Sequence, residues 1–283
     1  MIKIIMDKYN FKNNFFIFFI LLNHLGALYG ITYIESINDI LSLILYYQIC
    51  GLGVTAGLHR LWSHRSYKSK LPTRVLLMIL SSLSNQGSIY HWVRDHRVHH
   101  KFSDTEADPH NINNGFFYAH MGWLLCKKNK KTIEEGIKLD LSDLDNDPVV
   151  MIDKYLWPYD DIFLCYIAPG IYTHYYYGDF MKGLFLYGFL RWTIQSHATW
   201  CVNSVAHMFG DRPFRKNIKS VENKWVSLLS AGEGWHNWHH TYPYDYACSD
   251  EGIFLRWNPT KLFIDVLGWF GQTYDHKRKI VTR

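Results

Sequence analysis

The chain has 283 residues, 48% of them hydrophobic and 17% aromatic, with a formal net charge of +5. That is enough for one sizeable domain or a compact membrane bundle, and nothing in so modest a charge calls for nucleic acid as a partner. Five cysteines (Cys50, Cys126, Cys165, Cys201 and Cys248), odd in number and without a CxxC pair, argue against a disulfide framework and point to a reduced compartment.

The mean hydropathy of −0.16 is that of a soluble protein, but it averages over four apolar runs. After Lys3, Lys8 and Lys12, residues 15–34 form about 20 residues without a charge, and residues 40–58 form a second uncharged run after the short polar turn 35–39. Both are long enough to cross a bilayer core of about 30 Å as helices. The N-terminal run is long and lacks a small-residue cleavage site, so it reads as a span and not a cleaved signal. Arg60, Arg65, Lys68, Lys70 and Arg74 follow the second run while the turn 35–39 holds no Lys or Arg, which places both termini on the cytosolic side.

Residues 71–89 are broken by Ser81, Ser82, Ser84, Asn85 and Gln86, so they read as a helix along the membrane surface or packed on the bundle. A third and a fourth run, 162–178 and 183–205, are joined by 179–182, with Arg191 and Gln195 inside the fourth. The expected architecture is an all-α integral membrane protein with four transmembrane helices and a cytosolic helical cap. In order these are a cytosolic segment (1–14), transmembrane hairpin 1 (15–58), cytosolic and surface helices (59–160), hairpin 2 (161–205) and a cytosolic C-terminal part (206–283). Gly51, Gly53 and Gly57 thin the second helix, either for close packing or to leave room beside it.

Nine histidines fall in four groups at the cytosolic ends of these runs: His59/His64, His96/His99/His100, His207 with Asn203 four residues before it, and His236/His239/His240. Imidazole suits mid-to-late first-row metals, and nine donors are too many for one ion, so two ions held close together are expected. Positions i, i+3 and i+4 share a helical face, so each triplet could present three imidazoles to one place. His59 and His64 are turned roughly 140° apart on a regular helix and fit a helix end or an unwound turn better. His24, His91, His174, His197 and His276 are expected to be hydrogen-bonded core or surface residues, and His110 and His120 are left outside the site.

The strings 57–64 (GLHRLWSH), 92–100 (WVRDHRVHH), 203–207 (NSVAH) and 232–240 (GEGWHNWHH) resemble the histidine boxes of membrane acyl-CoA desaturases of the stearoyl-CoA Δ9 type, in order and without large gaps from about residue 23 to 246. The resemblance implies an O2-dependent enzyme of the endoplasmic reticulum membrane that inserts a cis double bond into saturated acyl-CoA at a di-iron centre. His59, His64, His96, His99, His100, His207, His236, His239 and His240 would then be the iron ligands, with Asn203 reaching the second metal through water. A redox metal pair suits the task, because side chains alone do not attack unactivated C–H bonds.

By the same resemblance Gln86, Trp92 and Thr199 line the bend of an acyl tunnel. Arg94, Asp95, Lys127 and Lys128 meet the CoA headgroup, Lys127 replacing an arginine and so losing a bidentate fork, and Trp200 lies near the pantetheine. Tyr47 and Gly51 limit chain length. Gly51 is smaller than the family's usual alanine and Leu58 larger than the usual small residue, so the tunnel is expected to be at least as deep as the stearoyl type. No His-Pro-Gly-Gly haem signature occurs, so electrons are expected from a separate cytochrome b5 and its NADH-dependent reductase. A membrane di-iron hydroxylase or an acyl-lipid or sphingolipid desaturase is the alternative, against which the Trp-Val-Arg-Asp-His and Asn-Ser-Val-Ala-His strings speak for the acyl-CoA branch; a silent metal-binding scaffold would have lost ligands, and here all nine positions and Asn203 are filled.

Overall fold

A computed structural model describes residues 13–253 and 255–280 of the chain. Lys3, Lys8 and Lys12, on which the expected orientation of the N-terminal segment rests, lie outside the described residues. The described residues are mostly helical. Helix α1 (Asn14–Gly30) runs on into a short 3-10 turn, Ile31–Tyr33. Its large apolar side chains point outward, with Phe15, Phe18, Leu25 and Leu28 each at least 65% exposed, whereas Asn23, Gly26, Ala27 and Gly30 face inward. That is the inverse of a water-soluble surface helix, and it is the arrangement an apolar solvent selects. Asn23 is satisfied inside by donating to the Phe19 carbonyl (2.8 Å) and accepting from the Tyr166 hydroxyl (2.8 Å).

Helix α2 (Ile37–Leu52) opens on a capping box in which the Ser36 hydroxyl accepts from the Asp39 N–H and the Asp39 carboxylate accepts from the Ser36 N–H. It continues into Gly53–Ser63, which is π-wound, with i→i+5 hydrogen bonds. The stretches Asn14–Tyr33 and Ile37–Ser63, with mean hydropathies of 1.8 and 1.6, are each long and apolar enough to cross a membrane. With the outward apolar face of α1, they make this an integral membrane protein.

Helix α3 (Leu71–Ser84) packs along α2 and the π-wound segment, as one of the two sequence readings has it. The approach is close enough that a Cβ at Gly53 would lie 2.2 Å from the Leu80 carbonyl carbon, so only glycine fits there. Helix α4 (Ile89–Phe102) is positioned by the Asp153 carboxylate, which accepts from the Ile89 N–H at 2.7 Å. The cap adds α5 (Lys130–Ile137), the helix Pro148–Leu156 that carries Asp153, and several short turns.

The third apolar run ends in α6 (Ala168–Tyr177), and the fourth passes from a π-wound stretch, Gly183–Leu190, into α7 (Arg191–Asn203). The turns of the two hairpins meet at one end, where Lys182 pairs with Asp39 (2.8 Å) and Glu35 (3.1 Å). The cap is completed by α8 (Lys224–Leu229), α9 (His236–Thr241) and α10 (Pro259–Trp269), and by the antiparallel pairing of Lys68–Ser69 with Thr273–Tyr274. Leu58, Trp62, Leu77, Ile89, Val93, Leu144 and Ile264 form the main core beneath it.

Five of the remaining histidines take ordinary hydrogen-bonded places. His24, His197 and His120 form a chain with contacts of 3.0 and 2.9 Å that ends on the Ser204 hydroxyl at 2.9 Å. His91 meets Ser88, and His276 meets Thr273. None of the five cysteines forms a disulfide.

Candidate metal centre

The winding of Gly53–Ser63 answers the geometric problem of the first histidine pair. An α-helix would turn His59 and His64 apart, but here the His64 N–H donates to the His59 carbonyl at 3.1 Å and closes a five-residue turn. One side chain therefore follows the other, and their rings stand 4.8 Å apart.

The nine histidines gather into two adjoining clusters. His59, His64, His96, His100 and His239 form one, and His99, His207, His236 and His240 the other, with the ligand atoms inside each cluster within 4.8 Å of one another. Each triplet is thus divided: His96 and His100 face the first cluster while His99 faces the second, and His239 faces the first while His236 and His240 face the second. The expectation that a triplet serves one place is corrected here. Residues i and i+4 stack on one line of a helix, and i+3 lies about 60° to the side, enough to address a neighbouring point.

Within the clusters Nε2 atoms point at Nε2 atoms: His59 to His239 at 3.0 Å, His64 to His96 at 2.9 Å, His100 to His239 at 2.9 Å, His207 to His236 at 3.1 Å, and His236 to His240 at 3.0 Å. The Nδ1 atoms of His59, His99 and His207 instead face Glu233 (2.9 Å), Asp108 (2.9 Å) and Asp104 (3.2 Å). A proton on Nδ1 leaves Nε2 as a bare lone pair. Burial, reinforced by the neighbouring imidazoles, holds His64, His96, His100, His236, His239 and His240 well below the ordinary histidine range, so these six are neutral. Lone pairs converging in a buried space are repulsive unless a cation stands between them, and this donor set fits two late first-row metal ions.

A narrow cavity leads from the clusters into the bundle. It is lined by His59, His96, His99 and His236, by Trp92, Thr199 and Asn203, and at its far end by Tyr47, Gly51 and Gln195. Trp92 stacks on His96 at 4.8 Å, its indole N–H reaches Gln86 at 3.4 Å, and Gln86 donates to Thr199 at 2.9 Å. A Cβ at Gly51 would meet nothing within 4 Å, whereas Gly57 packs against Trp62 and Leu77. Of the three glycines, Gly51 is therefore the one that leaves room, and Gly53 and Gly57 serve packing. Leu58 is fully buried in the core and does not line the cavity, so its size does not narrow it.

A second cavity, about 420 Å³, opens on the surface of the cap between Arg94, Asp95, Lys128, Tyr90, Ile133 and Asp145. Asp95 accepts from Arg94 (2.9 and 3.0 Å) and also from Lys128, so the three side chains hold one another in place with one positive charge in excess. Lys127 and Trp200 are not brought here. Lys127 points into solvent. Trp200 lies on the other face of α7 from Thr199, buried against Trp192 and beside His120 and His197.

A profile of the fatty acid desaturase family matches residues 39–247. The chain is 48% identical over 260 residues to an acyl-CoA desaturase of Ovis aries and 47% identical over 260 residues to a stearoyl-CoA desaturase of Homo sapiens, in both cases over 90% of this chain and 71% of the relative. To a stearoyl-CoA desaturase 5 of Bos taurus it is 46% identical over 265 residues, 93% of this chain and 78% of the relative. The chain belongs to the fatty acid desaturase family.

In this desaturase the histidine spacing does not announce Asp104, Asp108, Glu233 and Arg60. Asp108 is 2% exposed and accepts from the Asp104 and His110 N–H groups besides facing His99. Burial pushes its carboxyl up, but His99 and His110 outweigh burial and hold it well below the usual range. For the same reason His99 is raised against burial by Asp108. His110, left outside the site in the sequence reading, has its ring 4.4 Å from that of His99 and forms a group with His99 and Asp108. The available signal was two aspartates four apart, directly after the second box.

Glu222 supports the last box by accepting from the Trp238 N–H at 2.8 Å, and burial raises its carboxyl to about 7. An unfolded glutamate releases its proton near about 4.3. Stability therefore falls as pH rises from about 4 to about 7, and the whole penalty is present above that. Glu222→Gln keeps the acceptor without the charge and is expected to stabilise the protein at pH 8 by on the order of 2 kcal/mol, roughly 4 °C in thermal midpoint, with a smaller gain at pH 5. Equal gains at both pH values would contradict this.

Proposed function

We propose that this desaturase inserts a cis double bond, at Δ9, into saturated long-chain fatty acyl-CoA, using O2 and two iron ions, with electrons from a separate cytochrome b5 and its NADH-dependent reductase. The observation that carries the reading is the convergence of nine imidazoles as two adjoining clusters at the head of a narrow, largely apolar cavity. His59, His64, His96, His100 and His239 would hold one iron, and His99, His207, His236 and His240 the other, with Asn203 acting through water. Bound there, the iron pair supplies the O2 activation that breaking unactivated C–H bonds requires.

The protein's own part is positioning. Arg94 and Lys128, locked by Asp95, offer charge to the phosphates of CoA at the cap surface. Trp92, Gln86 and Thr199, linked by hydrogen bonds, form a wall against which the acyl chain bends beside the clusters. Tyr47 and Gly51 stand at the far end, and the space beside Gly51 supports a tunnel at least as deep as that for stearoyl chains. Four spans with both termini and the cap on the cytosolic side of the endoplasmic reticulum fit the meeting of the two hairpin turns at Lys182, Glu35 and Asp39.

Expression with cytochrome b5 in a desaturase-deficient yeast tests the reading: growth without added unsaturated fatty acid and a Δ9 product support it. A hydroxylated product, or none with the protein correctly made, overturns it. Lys128→Ala is expected to raise KM for stearoyl-CoA about tenfold with kcat little changed, as loss of one charge-assisted contact would. An unchanged KM in purified enzyme would remove Lys128 from the headgroup site.

A further inference from the structure

The two histidine clusters differ most in what stands behind them. Behind the four-histidine cluster are two carboxylates, Asp108 on His99 Nδ1 at 2.9 Å and Asp104 on His207 Nδ1 at 3.2 Å. Neither forms an ion pair with a lysine or arginine among the described residues. Behind the five-histidine cluster is one carboxylate, Glu233, on His59 Nδ1 at 2.9 Å. Its other oxygen accepts from Arg60 at 2.8 and 3.1 Å, and Arg60 is wholly buried.

The loop that follows α4 is folded to deliver both aspartates. Asp108 Oδ2 accepts the Asp104 N–H at 2.8 Å and its Oδ1 accepts the His110 N–H at 3.1 Å, so the turn is tied to its own carboxylate. Asp104 sits at φ +61°, a left-handed conformation that Asp and Asn tolerate better than other side chains. Two imidazoles from distant parts of the chain, one on α4 and one after α7, thereby receive their carboxylates from a single short turn.

A carboxylate behind an imidazole fixes its tautomer and makes its Nε2 a stronger donor, and its loss costs metal sites about 10–100-fold in affinity. Uncancelled negative charge in a buried site also favours the higher oxidation state of the ion it faces. Two divalent ions in these clusters would therefore stand in different fields: the two aspartates match the charge of one ion, while the Glu233–Arg60 pair leaves the other uncompensated.

We infer that the turn bearing Asp104 and Asp108 makes the two metal positions unequal, so that the ion in the His99/His207/His236/His240 cluster is the one more easily oxidised and Asp104 and Asp108 are positioning residues that set this order. The inference rests on the two-iron reading of the site and assigns each ion a role within it.

The test uses the purified, iron-loaded full chain, with wild type compared with Asp104→Asn, Asp108→Asn and Glu233→Gln. Iron per chain, its release to a chelator and stepwise oxidation followed by Mössbauer spectroscopy are read on each. Wild type is expected to hold two ions that oxidise in two steps. Asp104→Asn and Asp108→Asn should speed the release of one ion about tenfold or more and bring the two steps together. Glu233→Gln should act on the other ion. Asp104 is less buried than Asp108 and asparagine tolerates its left-handed backbone conformation, so this variant remains informative if Asp108→Asn fails to fold. Two ions that oxidise together in wild type, or a substitution of Asp104 that alters both ions equally or neither, overturns the inference while leaving the two-iron reading intact. A wild-type protein that binds no iron overturns both.

Discussion

His240→Ala is expected to abolish desaturation, lowering it by more than about 100-fold, the upper end of what the loss of even an outer partner of a metal ligand costs. Its Nε2 stands 3.0 Å from that of His236 and 3.3 Å from that of His99, so alanine opens one side of the four-histidine cluster. The iron bound per chain should fall with the activity. His174→Ala, on an exposed position at the end of α6, should change neither. Full iron content with lost activity in His240→Ala would mean that His240 acts on substrate and not on metal.

Gly51→Phe is expected to convert the chain-length preference. The position opens on the cavity with nothing within 4 Å of an added Cβ, so a benzyl group would extend into the far end beside Tyr47. A palmitoyl chain is two methylenes shorter than a stearoyl chain, and excluding two methylenes from an apolar site costs about 0.8 kcal/mol each. The ratio of kcat/KM for palmitoyl- to stearoyl-CoA should rise by about tenfold or more. An unchanged ratio would mean that the acyl chain does not reach Gly51. Gly53→Ala, two residues along, should fail for a different reason: its Cβ would collide with the backbone of α3 and lower the yield of folded protein for every substrate.

The contrast between these two glycines shows what a sequence discloses and what it withholds. Hydropathy and charge mark the apolar helices because their lengths answer to the bilayer, and the histidines declare a metal site because their number and grouping have no other economical use. The pairing of His59 with His64 was hidden because a π-wound turn has no periodicity signature of its own and shows only in the backbone and its packing against α3. Asp104, Asp108 and Glu233 were hidden because an acidic residue near a histidine box reads the same whether it backs a ligand or faces water. Trp200, one residue after Thr199, is turned about 100° from the cavity wall and packs against Trp192.

Both variants in the opening predictions, and the order of oxidation assigned to Asp104 and Asp108, depend on one quantity, the metal held by the nine histidines. Elemental analysis of the purified wild-type protein, after expression with adequate iron, measures it most directly. Two iron ions per chain, both lost on treatment with a chelator and restored by ferrous iron together with activity, are the predicted result. A chain that stays active with no iron, or that holds a single ion, would contradict the two-cluster centre.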